Sequence, residues 1–276
     1  MRTSFGLFGI VGLVALSACS VSTTDNSITF KTKPEFVDVS QPAQTATTDW
    51  NGEDISIKND GVNPLVGAGG IVVNFDSAAT KISVKADFAA RADVEADARE
   101  SIKDAIGTLK ITESNGFTIN CGHGGKHGSS DVANSGCKRM VVTLPTGSAA
   151  KPVRLTIGNG MGDVRFQGTA PTVSYLKVDN NGLGDVDVSV VPVKDAELVV
   201  IGEDKVSVGL PPDFTAASVV LDAGGGSDAA ARIITTDFPE MKSGQAFGTA
   251  GANTVKVLNV LNKGLLSDDT ITIKKF

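Results

Sequence analysis

Apolar and polar residues alternate over short runs through most of this chain, which is the period of half-buried β-strands. Ile55 and Ile57 alternate with polar neighbours in NGEDISIKND, GIVVNF follows at 70–75, and KISVKAD repeats the alternation at Ile82 and Val84. LKITES at 109–114, GFTINC at 116–121 and RMVVTLP at 139–145 predict further strands. One stretch departs from this period. Val94, Ala98, Ile102, Ala105, Ile106 and Leu109 recur at helical spacing with polar residues between them, which predicts a single amphipathic helix. Asp93 is placed to cap its first turn, Glu95 to pair with Arg99, and Gly107 to end it.

After Pro145 the alternation becomes a repeat. LTIGNGMGDVRF starts at Leu155, LKVDNNGLGDVDV at Leu176, LVVIGEDKVSV at Leu198 and VVLDAGGGSD at Val219, at offsets of 21, 22 and 21 residues. In each of the first three units an apolar strand meets a Gly, Asn or acidic turn and then a second alternating strand. Val164, Phe166, Val186, Val188, Val206 and Val208 are expected to point inward. Two short strands per unit at this period is the form of a β-solenoid, where each coil buries its inward side chains on the coil before it. The expectation is an all-β body over 49–276, a β-helix-like solenoid with coils of ~21 residues and one helix. A β-sandwich of hairpins is the alternative. DTITIKK at 269–275 predicts a closing strand whose lysines discourage edge-to-edge pairing.

The N-terminus has a different pattern. Arg2 precedes an apolar run from Phe5 to Leu16, too short to span a bilayer as a retained helix. The tetrad Leu16, Ser17, Ala18 and Cys19 resembles the lipobox of bacterial lipoproteins. That resemblance implies removal of residues 1–18, a diacylglycerol thioether on Cys19, and membrane contact through the lipid. Ser20 after Cys19 points to the outer membrane if enterobacterial sorting rules apply. Residues 19–48, rich in Ser, Thr, Asp and Gln, read as the lipidated cysteine and a flexible tether, with ITFK at 28–31 able to add a strand. Composition agrees with a β body: glycine is abundant at 31 residues and aromatics make up 5%. A net charge of −6 with interspersed signs leaves no basic stripe for phosphates, so nucleic acid is not expected as a partner.

The arrangement from Trp50 to Phe276 resembles a family of exported bacterial proteins described as adhesin-like, a domain of unknown function built as a repetitive β-solenoid. The residues that carry the resemblance are WNGEDISI at 50–57, EADARESIKDAI at 95–106, VTLP at 142–145 and the GDV turns at 162–164 and 184–186. The family implies a fold and a surface location and carries no catalytic residues to transfer. The cysteine loop with its two histidines is not part of that pattern.

Candidate chemistry is sparse. With Cys19 assigned to lipid, Cys121 and Cys137 remain as an even pair in an oxidising compartment and are expected to form a disulfide, contributing about 3 kcal/mol. CGHGGKHG at 121–128 adds His123 and His127, so a zinc site of two thiols and two imidazoles is the other reading. The ligand spacing matches zinc fingers poorly. Asp163 and Asp185 follow glycines in equivalent turns, and Asp204 falls near the same place in the next unit. Coils stacked at about 4.8 Å would bring such carboxylates close enough to hold calcium or to act as acid and nucleophile on a sugar. Gly-Asp is also ordinary turn chemistry, and the nine-residue calcium repeat is missing. GGGSD at 224–228 is a similar, weaker match. No nucleophile elbow, phosphate loop, HExxH or dinucleotide fingerprint occurs in a fitting context, and no cofactor is expected.

The expected function is therefore non-enzymatic: a lipid-anchored envelope protein that mediates adhesion or binds polysaccharide, matrix or another envelope protein. One alternative is a carbohydrate-active enzyme using the stacked carboxylates, for which Tyr175 and Trp50 are the only Tyr and Trp available as sugar platforms. The other is an envelope sensor or scaffold.

Overall fold

The alternating runs fold as strands, and the run of helical period folds as the helix. The computed structural model describes residues 19–24, 27–32, 35–60, 69–125, 134–223, 233–249, 251, 254–264 and 270–276. The expected signal segment, His127 and the GGGSD stretch lie outside the described residues, as does the side chain of Cys19. In chain order the elements begin with β1 (Cys19–Thr24), β2 (Ser27–Thr32), β3 (Glu35–Ser40), β4 (Gln44–Thr45), β5 (Ile55–Asn59), β6 (Gly70–Asp76) and β7 (Ser83–Arg91). Then come α1 (Glu95–Thr108), β8 (Lys110–Thr112), β9 (Phe117–Cys121) and β10 (Asn134–Pro145). The repeat region supplies β11 (Val153–Asn159), β12 (Val164–Gly168), β13 (Thr172–Asn180), β14 (Val186–Ser189), β15 (Val191–Gly202), β16 (Lys205–Leu210) and β17 (Thr215–Asp222). β18 (Ile233–Thr236), β19 (Gln245–Phe247), β20 (Thr254–Val255), β21 (Val257–Asn262) and β22 (Thr270–Lys275) complete it.

The fold is all-β with one helix. Two ten-stranded sheets carry the body, one in the order β18-β22-β16-β14-β12-β6-β10-β7-β3 and the other β19-β17-β21-β15-β13-β11-β5-β9-β8. β4 joins the first sheet at β7 and β20 the second at β17, while β1 and β2 pair only with each other among the described residues. From β11 to β16 the chain crosses from one sheet to the other at every step, so β11–β12, β13–β14 and β15–β16 each make a rung with one strand per sheet. β5–β6, β9–β10, β17–β18 and β21–β22 are rungs of the same kind. Neighbouring rungs pair in parallel.

Parallel in-register pairing stacks like on like. In the second sheet Phe117, Ile55, Leu155, Leu176, Leu198, Leu258 and Val219 form one inward column, each directly beside the next. Ile119, Ile57, Ile157, Val178, Val200, Val260 and Leu221 form a second. All are buried. Each side chain contributes roughly 1.5–3 kcal/mol by leaving water, so the columns are the main store of stability. In the first sheet Val164, Val186, Val188, Val206 and Val208 point inward and are buried. Phe166 is only partly buried, against the core and edge-on to Phe75 at 5.1 Å, because its rung stops two residues later at Gly168 and leaves the ring at the mouth.

A third column of the second sheet is polar. Asn59, Asn159 and Asn180 lie side by side and are buried, with Cys121 beyond Asn59, and Gly202 then Asn262 beyond Asn180. Asn159 Nδ2 donates to Met161 O and Gly162 O at 2.8 Å and to Asn180 Oδ1 at 3.0 Å, while Asn180 Nδ2 donates to Gly184 O at 3.0 Å. These amides tie the ends of the strands to the turns that follow. The amide nitrogens of this column all find acceptors, which makes their burial tolerable, whereas Asn159 Oδ1 is buried without a hydrogen-bond partner.

The tether segment contributes to the body. β3 and β4 pair antiparallel with β7, and Glu113 takes the amides of Thr47 and Thr48 at 2.6 and 3.1 Å and their hydroxyls at 2.8 and 2.6 Å. Composition alone conceals this, since an edge strand needs little apolar surface when a covered sheet offers it backbone partners. The helix ends also differ from expectation. Val94 occupies the N-cap with no side-chain capping bond, and Gly107 lies inside the last turn. The helix stops after Thr108, whose hydroxyl donates to Ala105 O at 2.6 Å and accepts the Gly122 amide at 2.7 Å. Glu95 and Arg99 pair at 2.6 Å.

Candidate functional site

The three turn carboxylates are built into the stack. Gly162 and Gly184 take positive φ values of 85° and 143°, and a Cβ on Gly184 would lie 2.3 Å from the Gly162 carbonyl carbon. Only glycine lets the turns of β11–β12 and β13–β14 approach this closely. Asp163 Oδ1 accepts the Asp185 amide at 3.0 Å, Asp163 Oδ2 accepts Arg165 at 2.6 Å, and Asp204 Oδ2 accepts the Gly184 amide at 2.7 Å. Asp163 and Asp204 thus reach across to the turn of a neighbouring rung. The amide of Asp185, not its carboxylate, meets Asp163. That geometry is suited to locking turns together. Among the described residues no group of three or more His, Cys, Asp or Glu side chains is placed to hold a metal ion.

Cys121, at the end of β9, is joined to Cys137 in β10, with Cα atoms 6.3 Å apart and both side chains buried. The start of the loop between them is strapped beneath α1. Gly124 N donates to Ser135 Oγ at 3.1 Å, Ser101 Oγ donates to Gly125 O at 2.7 Å, and the two serine hydroxyls are 2.6 Å apart and buried. A Cβ on Gly124 would fall 1.8 Å from Ser101 O, so the strap requires glycine there. His123 is exposed beside it. With both thiols consumed, a four-ligand zinc set on this loop has no sulfur to offer.

The two candidate sugar platforms are engaged. Trp50 is buried, its indole N–H donating to Glu53 O at 2.7 Å. Tyr175 lies on the outside of the second sheet, but the Arg154 guanidinium sits 5.3 Å from its ring centre, held there by Asp54 at 2.8 Å. An apolar hollow of about 410 Å³ near the chain end is lined by Phe75, Phe166, Pro171 and Phe276.

The outer face of the first sheet carries a groove that no motif in the sequence marks. It has a volume of about 320 Å³ and is lined by Gly70, Val72, Lys138, Arg139, Asp163, Arg165 and Gln167. Gly70 lies directly beside Arg139 on one neighbouring strand, and Val72 beside Arg165 on the other. Gly70, without a side chain, leaves the floor low. A glycine and scattered cations carry no recognisable motif, and only the strand order brings them to one place. No protein-family model matches the chain, and comparison with curated proteins gives no match.

Proposed function

We propose that this chain is a non-enzymatic, lipid-anchored envelope protein whose body is a β-solenoid and whose outer sheet face binds an envelope polymer or protein. The solenoid reading is supported by the parallel pairing of rung on rung, which the hairpins of a sandwich would replace with antiparallel pairing. The observation that carries the binding role is the outer face of the first sheet. Lys85, Val141, Val72, Arg165, Asp187, Ser207, Thr272 and Thr235 run across eight neighbouring strands as one level row of mostly polar side chains. A face eight strands wide suits an extended ligand better than a small metabolite. The bonds that Asp163 and Asp204 make to neighbouring amides favour structural over catalytic duty for these acids.

The test uses the full chain and its Cys19→Ala form expressed in a bacterium. The parent chain is expected to take up labelled acyl groups and the variant none, and unchanged labelling of the variant would overturn the anchor. The lipid-free variant, purified from the periplasm, is expected to be retained on insoluble envelope material. Passage without retention would overturn the binding role.

A further inference from the structure

We propose that the groove between β10 and β12 binds the carboxylate groups of an acidic polysaccharide, with Arg139 and Arg165 as the anion-recognising residues. This rests on the binding face proposed above and gives it a ligand class. Three independent features converge on the groove. The first is a bulge: the pairing of β10 with β7 shifts register between Cys137 and Arg139, so Lys138 is an extra residue in its strand. Cys137 and Met140 both remain buried, and Lys138 and Arg139 are turned out of the core one after the other, where strict alternation would have offered one. Bulges re-aim side chains in this way. The disulfide at Cys137 anchors the bulge on its N-terminal side.

The second feature is the floor. Gly70 sits beside Arg139 and Val72 beside Arg165, so the strand between the two arginines supplies a low, apolar base. The third is orientation. Asp163 Oδ2 holds Arg165 at 2.6 Å while its other oxygen takes the Asp185 amide, which fixes the guanidinium at the wall. Arg139 has no salt bridge among the described residues, and Asp87, its cross-strand neighbour, accepts the Ser40 hydroxyl. Arginine's planar fork matches a carboxylate bidentately.

The setting selects the ligand class. β10, β6 and β12 are interior strands paired on both sides, so a peptide cannot add to their backbone, and only side chains are offered. Among the described residues no aromatic ring lines the groove to stack a neutral sugar or a base. Two arginines and a lysine outnumber the single carboxylate of Asp163, and with the Gln167 amide and a valine floor they suit a ring that carries a carboxylate and hydroxyls.

The experiment measures binding of the lipid-free Cys19→Ala chain to oligogalacturonate, to its neutral methyl ester and to polyglutamate. Oligogalacturonate is expected to bind in a manner weakened by salt, the ester at least about tenfold more weakly, and Arg139→Gln to lose about tenfold with an unchanged melting temperature. Arg165→Gln should lose as much. Arg139→Gln alone decides the matter if loss of the Asp163 contact unfolds that second variant. Equal binding of the ester would overturn charge recognition, and binding of polyglutamate as tight as oligogalacturonate would overturn the sugar. If no probe binds while the chain is still retained on envelope material, this proposal fails and the binding face survives. If envelope material is not retained either, the binding face fails with it.

Discussion

In the middle of the stack spatial order follows chain order, and at both ends it does not. β11–β12, β13–β14 and β15–β16 lie one after another as they come along the chain. At one end β5–β6 sits between β9–β10 and β11–β12, although β7, α1 and β8 separate it from both in sequence. At the other, β21–β22 sits between β15–β16 and β17–β18. Leu198 therefore lies beside Leu258, and Val219, one repeat further along the chain, lies beyond Leu258. A rung is chosen by whether its inward column fits its neighbour, and any aliphatic column fits any other. The inserted C-terminal rung fits its inner columns, yet its outward Asn259 Oδ1 is buried without a hydrogen-bond partner beside Val199 and Val220.

The ends are also closed differently. One carries α1, the disulfide and the antiparallel strands β7 and β8. The other carries the antiparallel strand β19 and a cluster of Phe214, Phe238 and Phe247 with ring centres 5.5 to 6.3 Å apart. Capping of this kind protects strand edges that would otherwise recruit another chain.

The comparison breaks most easily on paired core deletions. Leu176→Ala, between Leu155 and Leu198 in fixed register, should cost near the top of the roughly 2–5 kcal/mol range for such changes, because neither neighbour can close the cavity. Leu221→Ala in the end rung should fall near the bottom. Denaturant unfolding of both variants reads the difference, and equal costs would mean that ends and middle are one cooperative body.

Removal of the disulfide by Cys121→Ser with Cys137→Ser should cost about 3 kcal/mol. The loss should be local. Hydrogen exchange is expected to quicken in α1, β9 and β10 and to leave β13 to β16 as they were; a uniform rise would remove the distinction between end and middle.

The asparagine column sharpens the middle. Asn180→Ala takes away the donor to Gly184 O and the acceptor of Asn159 Nδ2, with an expected loss of about 1–3 kcal/mol in thermal or denaturant unfolding. Asn180→Leu should not recover it, since the half-buried Gly184 carbonyl still lacks its side-chain donor.

The smallest effect concerns the edge that closes on Glu113. The Thr48 hydroxyl, then the Thr47 amide, together with the other two donors, lower its pKa from 4.5 to about 2. A carboxyl lowered on folding stabilises the fold above its unfolded pKa, so this clasp is fully present above pH 4.5 and is lost as pH falls through about 2. Trp50, the single tryptophan, stands two residues from Thr48 and reports the loosening by fluorescence. Glu113→Gln should remove that acid step from the titration.

Period-two alternation, the 21-residue repeat, the helical stripe and the pairing of Cys121 with Cys137 were all legible in the chain, because each is a local pattern that local geometry converts directly into an element. The strand partners were not. The repeat placed Val219 next to Leu198, whereas the fold puts Leu258 there, and nothing in either segment distinguishes the two choices. The bulge at Lys138, the low floor at Gly70 and the turn-to-turn duty of Asp163 were equally hidden, because each depends on a strand distant in sequence. Alternation settles which side of a strand faces inward. Which strand lies beside it is settled only when columns of similar side chains compete for the same place in the stack.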